Sequence, residues 1–561
     1  MRDNSTILHR LKIWARDQPQ QEALYFRDEH GWSPIVASLY WNQVVRFALA
    51  LRDFGVERGD RVMLYAQNSP EWVQWELATW LAGGVSVGVH PHTLEAELSQ
   101  MIDQCSPRLI LVESDLYRNR ITGLDPSSEV LTFPEALQRM LGLHSYSIDE
   151  LSARGDALLK AIRPDETRMI IYTSGTTGAP KGVMLGLGQL TFVADTLSSE
   201  WRLPYMDGQL FSFLPLAHIA EKAQTLGVAI VQRYPVWFNS NYERFFEELV
   251  EVRPTLLLAV PRVWERFKEQ VESRKPKLLQ RVMEFEKIGS MAEKLYLTQV
   301  RQNLGLDRLK FAVSGAAKLP PVVGEWFRRI GIEIQEIYGM SESAGLITLT
   351  RPGRKDFQTV GAAPAGVEIR IMMDGEIQIR GAQVFFGYWN NPGATAEVLL
   401  DGGWLRTGDL GEFRAGDSGE LKIVGRDRDI IKLSNGRMIA PLPIENVLKE
   451  LPEVSNVCVV GEGKSGVLAL ITLKEDVMVD LRFTPGAIEG LSVEDEQLKG
   501  KIRTQMDQLI REKRLPEFAS RFVILSRDFS VDLKELTQTQ KINRNQIQKS
   551  FRPFIDLQFE S

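Results

Sequence analysis

Short apolar runs alternate with longer segments of helical period through the first two thirds of the chain. The runs "RVMLYAQ", "RLILVES", "RMIIYTS", "TLLLAVP" and "KFAVSGA" are nearly continuous in apolar residues, as strands buried on both faces are. Between them lie segments such as "SPEWVQWELATWLAGG", whose apolar residues recur at helical spacing. This alternation predicts an α/β architecture with largely parallel strands. After about residue 355 the texture changes. "GVEIRIMMDGEIQIRG" and "GEFRAGDSGELKIVGR" alternate apolar with polar residues around Asp-Gly and Gly-Asp-Ser-Gly turns, which predicts antiparallel hairpins. At "GRDRD", residues 425–429, charged residues and glycine separate the last of these strands from a new α/β-like tail, and the domain boundary is placed there. The expected fold is thus α/β, with a large N-terminal domain of α/β subdomains plus a small β-rich subdomain (residues 1–425) and a small α+β C-terminal domain (residues 426–561). No internal repeat or low-complexity tract interrupts the pattern.

Composition narrows the class. A chain of 561 residues, 44% hydrophobic and 25% charged, is that of a soluble globular protein too long for one core, so two to four domains are expected. A formal net charge of -6 argues against a general polyanion binder, and no nucleic-acid partner is expected. Cys105 and Cys458 lie far apart in sequence and suit a reducing compartment better than a disulfide framework. The histidines form no close metal-ligand set in the sequence. The opening "MRDNSTILHRLKIWARD" lacks a secretory apolar core, and the chain holds no apolar run of about 18 residues. A cytoplasmic location follows as the expectation, with peripheral contact to the inner face of a membrane left open.

Two phosphate-loop lookalikes fail on inspection. "GEGKS" ends like a Walker A loop but has Cys458 where the first glycine belongs. "GLGQLT" begins at Gly186 like a dinucleotide fingerprint but carries Thr191 in place of the third glycine, and no strand is expected before it. The stretch "YTSGTTGAPKG", Tyr172 to Gly182, is different. Gly175, Gly178 and Gly182 let backbone amides approach an anion without Cβ obstruction. Thr173, Ser174, Thr176 and Thr177 add hydroxyl donors, and Lys181 supplies charge, a set suited to a polyphosphate.

The string "YTSGTTGAPKGVML" resembles, residue for residue, the phosphate loop of the adenylate-forming superfamily: acyl-CoA synthetases, aryl-CoA ligases, luciferases and peptide-synthetase adenylation domains. Further stretches resemble that family's motifs in the family's order. "EIYGMSESAG" is similar to its adenine loop, which implies that Tyr338 and Gly339 lie near adenine, that Glu342, with Thr173, holds Mg²⁺, and that Ser341 stands for the usual threonine. The resemblance likewise implies nucleotide contacts at Gly315 and Ala316. "GWLRTGDLGEF" resembles the segment whose aspartate, here Asp409, accepts from the ribose hydroxyls. "GRDRDIIK" resembles the hinge, with Arg426 near the ribose, Arg428 at the pivot and Lys432 following. Gly436 in "LSNGRMIAP" matches a glycine of the thiol tunnel, and "TQTQKINR" resembles the motif of the catalytic lysine, here Lys541. In this family the C-terminal domain is a mobile lid.

The implied chemistry explains the company these residues keep. A carboxylate attacks the α-phosphate of ATP, giving an acyl adenylate and pyrophosphate, and a thiol then displaces AMP. The first step gathers negative charge that amides, Mg²⁺, Lys181 and Lys541 would stabilise. "FLPLAHIAEK", with His218 as a further catalytic candidate and Glu221, together with "RPTLLLAVPRVWERF" and "IAPLPIEN", resembles the long-chain fatty acyl-CoA synthetase branch. The implied activity is ATP-dependent ligation of a medium- to long-chain fatty acid to CoA. A fatty acyl-AMP ligase, a carrier-protein synthetase and a non-catalytic fatty acid or nucleotide sensor on the same fold are the other readings. One departure stands out: Gly186-Leu187 replaces the family's usual Thr-His after "KGVML".

Overall fold

The structure, a computed structural model, describes every residue except 1–4, 125–126, 144–145, 174–178, 274–290, 355, 415, 417–418, 481–492, 494, 538–540 and 561. Among the described residues two large sheets organise the first part of the chain. The first sets Arg61–Tyr65, Val85–Val89, Leu109–Val112, Glu129–Thr132 and Thr167–Thr173 parallel. Lys181–Gly186 then turns back antiparallel on Thr167–Thr173. In the second, Ile334–Tyr338, Phe311–Ser314, Leu256–Ala259, Leu210–Ser212, Val236–Phe238 and Glu22–Asp28 run parallel in that spatial order. The apolar runs of the sequence are the buried centres of both sheets. Neither sheet is purely parallel: strands flanking the phosphate-loop motif pair antiparallel in the first, and Gly31–Val36 and Thr348–Leu349 pair antiparallel at the two edges of the second.

The helix Pro70–Ala82 shows why continuous apolar content need not mean a strand. Ser69 caps it by accepting from the Trp72 amide at 3.2 Å, Pro70 takes the first turn, and Gly83 ends it with φ of 97°. All its residues except Glu71 are buried. Within that apolar helix sits Glu76, wholly buried and ion-paired with the equally buried Lys222. Trp72 Nε1 and Ser86 Oγ donate to the same carboxylate at 2.9 and 2.7 Å. Burial pushes the Lys222 ammonium down, and Glu76 opposes the shift.

Beyond these sheets, Val367–Ile371, Glu376–Gly381, Leu399–Leu400, Trp404–Phe413 and Leu421–Arg426 form an antiparallel sheet, the expected hairpins. Residues from Ile431 onward enclose apolar clusters of their own. There Val454–Val460, Leu468–Leu473 and Phe522–Ile524 make a three-stranded sheet. Helices Pro441–Leu448, Glu496–Arg511, Arg544–Ser550 and Arg552–Glu560 accompany it. Cys105 and Cys458 are both buried, and neither forms a disulfide. Among the described residues no helix is long and apolar enough to cross a membrane.

One expectation is corrected. A strand, Lys181–Gly186, does run into "GLGQLT", and the helix Leu187–Glu200 follows it. The short run "KGVML" hid that strand because its apolar residues are few. The strand is antiparallel to its neighbour, so the unit is not a parallel crossover, and Thr191 is buried with its hydroxyl accepting from the Ile7 amide at 3.3 Å.

Candidate active site

The strand pair Thr167–Thr173 and Lys181–Gly186 holds the phosphate-loop motif at both ends, with Tyr172 opposite Gly182 and Thr173 opposite Lys181. Gly182 has no room for a side chain: a Cβ there would lie 2.7 Å from the Ile170 side chain. Ser174, Gly175, Thr176, Thr177 and Gly178 lie outside the described residues. Thr173 and Lys181 both line a cleft of about 2300 Å³, large against the usual small-molecule pocket of roughly 300–1,000 Å³.

Strand ends of the second sheet furnish the opposite wall. Tyr338 closes the strand Ile334–Tyr338, and Gly339 follows where a Cβ would overlap the Gly345 carbonyl. The short turn Ser341–Ser343 then presents Glu342, whose Oε1 accepts from the Tyr388 hydroxyl at 2.8 Å. Tyr388 also lies under Lys181, whose Nζ sits 5.1 Å from the ring centroid, so one tyrosine braces both a carboxylate and a cation. Glu342 and Thr173 are hard oxygen donors on one cleft, a donor set that suits Mg²⁺. Gly315 and Ala316 line the cleft after the strand Phe311–Ser314, and Ala316 stands at φ of 68°, a left-handed conformation an alanine holds only under constraint.

Asp409 joins the two halves of the site. It is buried, directly opposite Arg426 in the pairing of Trp404–Phe413 with Leu421–Arg426. Its Oδ1 meets Arg426 Nε at 2.9 Å, and its Oδ2 accepts from the Tyr338 hydroxyl at 2.7 Å. Each carboxylate oxygen keeps a second lone pair for a further donor.

Lys541 reaches the same cleft from the C-terminal part of the chain. Its backbone is held by Thr537, whose hydroxyl accepts from the Lys541 amide at 3.1 Å, and by a bridge between Leu536 and Ile542. Three residues on, Arg544 pairs with Glu445 at 2.7 Å. Burial, reinforced by the charges of Arg426 and Arg428, brings the Lys541 ammonium down to about 8, against the pull of Asp409 and Glu342. Three cations thus converge on one wall, an arrangement that favours an anionic ligand.

His218, at the start of the helix Ile219–Lys222, is held near 4 by burial and by the Lys541 charge. Its Nδ1 accepts from the Ala220 amide at 3.4 Å, which assigns the proton of the neutral ring to Nε2. Asn68 fixes the preceding segment by accepting from the Leu216 amide and donating to the Leu214 carbonyl. Val193, Leu197, Trp201, Ala223, Val228 and Leu256 line an apolar part of the cleft.

Lys432 and Gly436 stand apart from this assembly. They lie exposed on the hairpin Ile431–Lys432 and Met438–Ile439 and do not line the cleft. Gly436 has φ of 81° and open space around it, so here it serves a turn. Sequence reasoning missed Tyr388. No spacing signal links it to Glu342, 46 residues away, because only folding brings the edge strand Gly387–Tyr388 alongside.

The AMP-binding enzyme family matches residues 11–389, and the AMP-binding enzyme C-terminal domain family matches residues 428–560. The chain is 31% identical to the long-chain-fatty-acid--CoA ligase FadD15 of Mycobacterium bovis, over 96% of this chain and 95% of that protein. It is 28% identical to the mouse long-chain-fatty-acid--CoA ligase ACSBG2, over 96% of this chain and 90% of that protein. Its fold is similar to that of the A-PCP didomain of a carboxylic acid reductase from Segniliparus rugosus in complex with AMP. The TM-score is 0.77 and the identity 20%, covering 100% of this chain and 82% of that one. The o-succinylbenzoate CoA synthetase of Bacillus subtilis, in complex with its acyl-adenylate intermediate, is similar with a TM-score of 0.73 and 20% identity, over 97% and 98% of the two chains. Motifs in order, a cleft lined by Thr173, Lys181, Tyr338, Glu342, Asp409, Arg426 and Lys541 and family matches over both parts of the chain agree: the protein belongs to the AMP-binding enzyme family.

Proposed function

We propose that the chain joins a medium- to long-chain fatty acid to CoA in two steps, through an acyl-AMP. In the first, a carboxylate oxygen attacks the α-phosphorus of ATP and the bond to pyrophosphate breaks. In the second, the CoA sulfur attacks the acyl carbon, AMP leaves and the thiol proton is lost. Asp409, braced by Tyr338 and Arg426, accepts from the ribose hydroxyls. Lys541, Lys181 and Arg426 face the charge that gathers in the first step. Neutral His218 offers a hydrogen-bond donor without adding charge beside the carboxylate. Mg²⁺ at Glu342 and Thr173 would neutralise phosphate charge.

The observation that carries this reading is the meeting of Lys541 with Asp409, Arg426 and Arg428 over a cleft that also has an apolar wall beside His218. The names of the relatives support the acyl and CoA parts. On this reading residues 1–425 hold both substrate sites and residues 426–561 act as the lid. Separate apolar clusters in the later segment support that division. The test is a panel of straight-chain acids from acetate to octadecanoate, scored for pyrophosphate and AMP with and without CoA. Acyl-CoA should form, with medium and long chains preferred. Release of pyrophosphate that CoA does not accelerate would point to an acyl-AMP ligase, and no release with any acid would end the reading.

A further inference from the structure

The strand Val85–Val89 runs parallel to Thr167–Thr173, with Ser86 opposite Met169 and Val87 opposite Ile170. Carried three residues on, that register brings His90 alongside Thr173, where the phosphate-loop motif sets out, at about the 4.8 Å spacing of neighbouring strands. Both residues line the cleft, at the carboxyl edge of the sheet where open α/β folds bind their ligands. Gly88, two positions earlier on the same face, abuts the segment before His218: a Cβ there would stand 3.0 Å from Ala217 Cα. His90 therefore lies between the phosphate loop and His218, and it is only partly buried.

The orientation of its ring is set by its own turn. The His90 carbonyl accepts from the Thr93 amide at 2.9 Å, closing a turn over Pro91 and His92. Behind it the Pro91 carbonyl accepts from Arg120 Nη1 at 3.0 Å and from the Tyr65 hydroxyl at 3.3 Å. Within the turn the His92 amide donates to His90 Nδ1 at 3.1 Å. That bond assigns the proton of the neutral ring to Nε2, which has no hydrogen-bond partner among the described residues. Burial, with the charges of His92 and His218 adding to it, holds His90 near 4, so the ring is uncharged at neutral pH.

Resting on the acyl-ligase reading above, we infer that His90 donates a hydrogen bond from Nε2 to the departing pyrophosphate of the first step. In that step the bond from the α-phosphorus to the bridging oxygen breaks, its electron pair leaves with that oxygen, and charge grows on the pyrophosphate beside Thr173. A donor already in place stabilises that charge. No proton is transferred. An uncharged donor aids departure without gripping the product as one more cation would.

The experiment measures both half-reactions on the same proteins. ATP formation from preformed hexadecanoyl-AMP and magnesium pyrophosphate gives a KM for pyrophosphate, whereas thioester formation from hexadecanoyl-AMP and CoA involves none. His90→Leu should raise the pyrophosphate KM, and lower kcat/KM for pyrophosphate release from hexadecanoate and ATP, by about tenfold or more, the scale of one hydrogen bond to a charged group. Thioester formation should keep the wild-type rate. His90→Gln, which retains an N–H donor, should recover most of the loss. An unchanged pyrophosphate KM in His90→Leu overturns the proposal. So does an equal loss in thioester formation, which would make His90 only a support of its turn, and so does a loss confined to that step, which would put the ring on the thiol path. If the wild-type enzyme releases no pyrophosphate from ATP with any fatty acid, the ligase reading itself falls; wild-type turnover with insensitive variants sinks this proposal alone.

Discussion

Lys541 carries the sharpest consequence of a single residue's surroundings. Its ammonium is lowered to about 8 by burial and by Arg426 and Arg428, so it loses its proton within reach of ordinary assay buffers. If the protonated form stabilises adenylation, kcat/KM for that half-reaction, which reports the free enzyme, should fall as pH rises through about 8. Lys541→Arg should lack this alkaline limb, because a guanidinium keeps its proton there. Lys541→Ala should lose adenylation by about 10²- to 10³-fold. Conversion of preformed acyl-AMP and CoA to acyl-CoA should survive in the same variant. Equal losses in both half-reactions, measured on folded protein, would remove Lys541 from the first step. The motif singled out Asp409 as an expected ribose ligand, but not how its carboxylate is held in the fold. Tyr338 and Arg426 come to it from 71 residues earlier and from the facing strand, and no local pattern announces either.

At the level of elements, the departure Gly186-Leu187 finds a physical reason. The backbone at Gly186 is extended, φ −112° and ψ 179°, so conformation does not demand glycine. Space does. A Cβ there would stand 2.5 Å from the Glu166 carbonyl oxygen and 2.8 Å from that of Pro164. The Glu166 segment cannot easily yield, because Arg168, buried beside it, pairs with the Glu166 side chain at 2.6 Å. Gly186→Ala should therefore destabilise the fold by about 1–3 kcal/mol, the usual cost of overpacking, read as a lower denaturation midpoint at unchanged slope. An unchanged midpoint would show that the segment moves aside. The strands around this point were readable as apolar runs. The antiparallel turn of Lys181–Gly186 was not, since strand direction depends on pairing partners that periodicity does not reveal.

Across the whole molecule, the sequence pattern conveyed the two-part organisation because each part keeps its own apolar clusters. It could not convey pose. The structure holds Lys541 at the cleft while Lys432 and Gly436 face solvent; on the proposed two-step reading, with Gly436 at the thiol path, the second step needs the C-terminal part to turn. A Cβ at Gly436 would meet nothing within 4 Å in this pose, although the φ of 81° would strain the turn for any side chain. Gly436→Leu should accordingly still release pyrophosphate but fail to make acyl-CoA. Parallel loss of both steps would mean that the glycine only shapes its turn.

The Glu76–Lys222 pair joins a helix of the first sheet to the segment just after His218, with both charges out of water. Losing one member strands the other and costs about 3–5 kcal/mol, whereas exchanging both for apolar residues can be nearly neutral. The two positions, 146 residues apart in the chain, therefore behave as one heritable unit. A lineage can keep both charges or give up both, but the road between passes through an ancestor that barely folds.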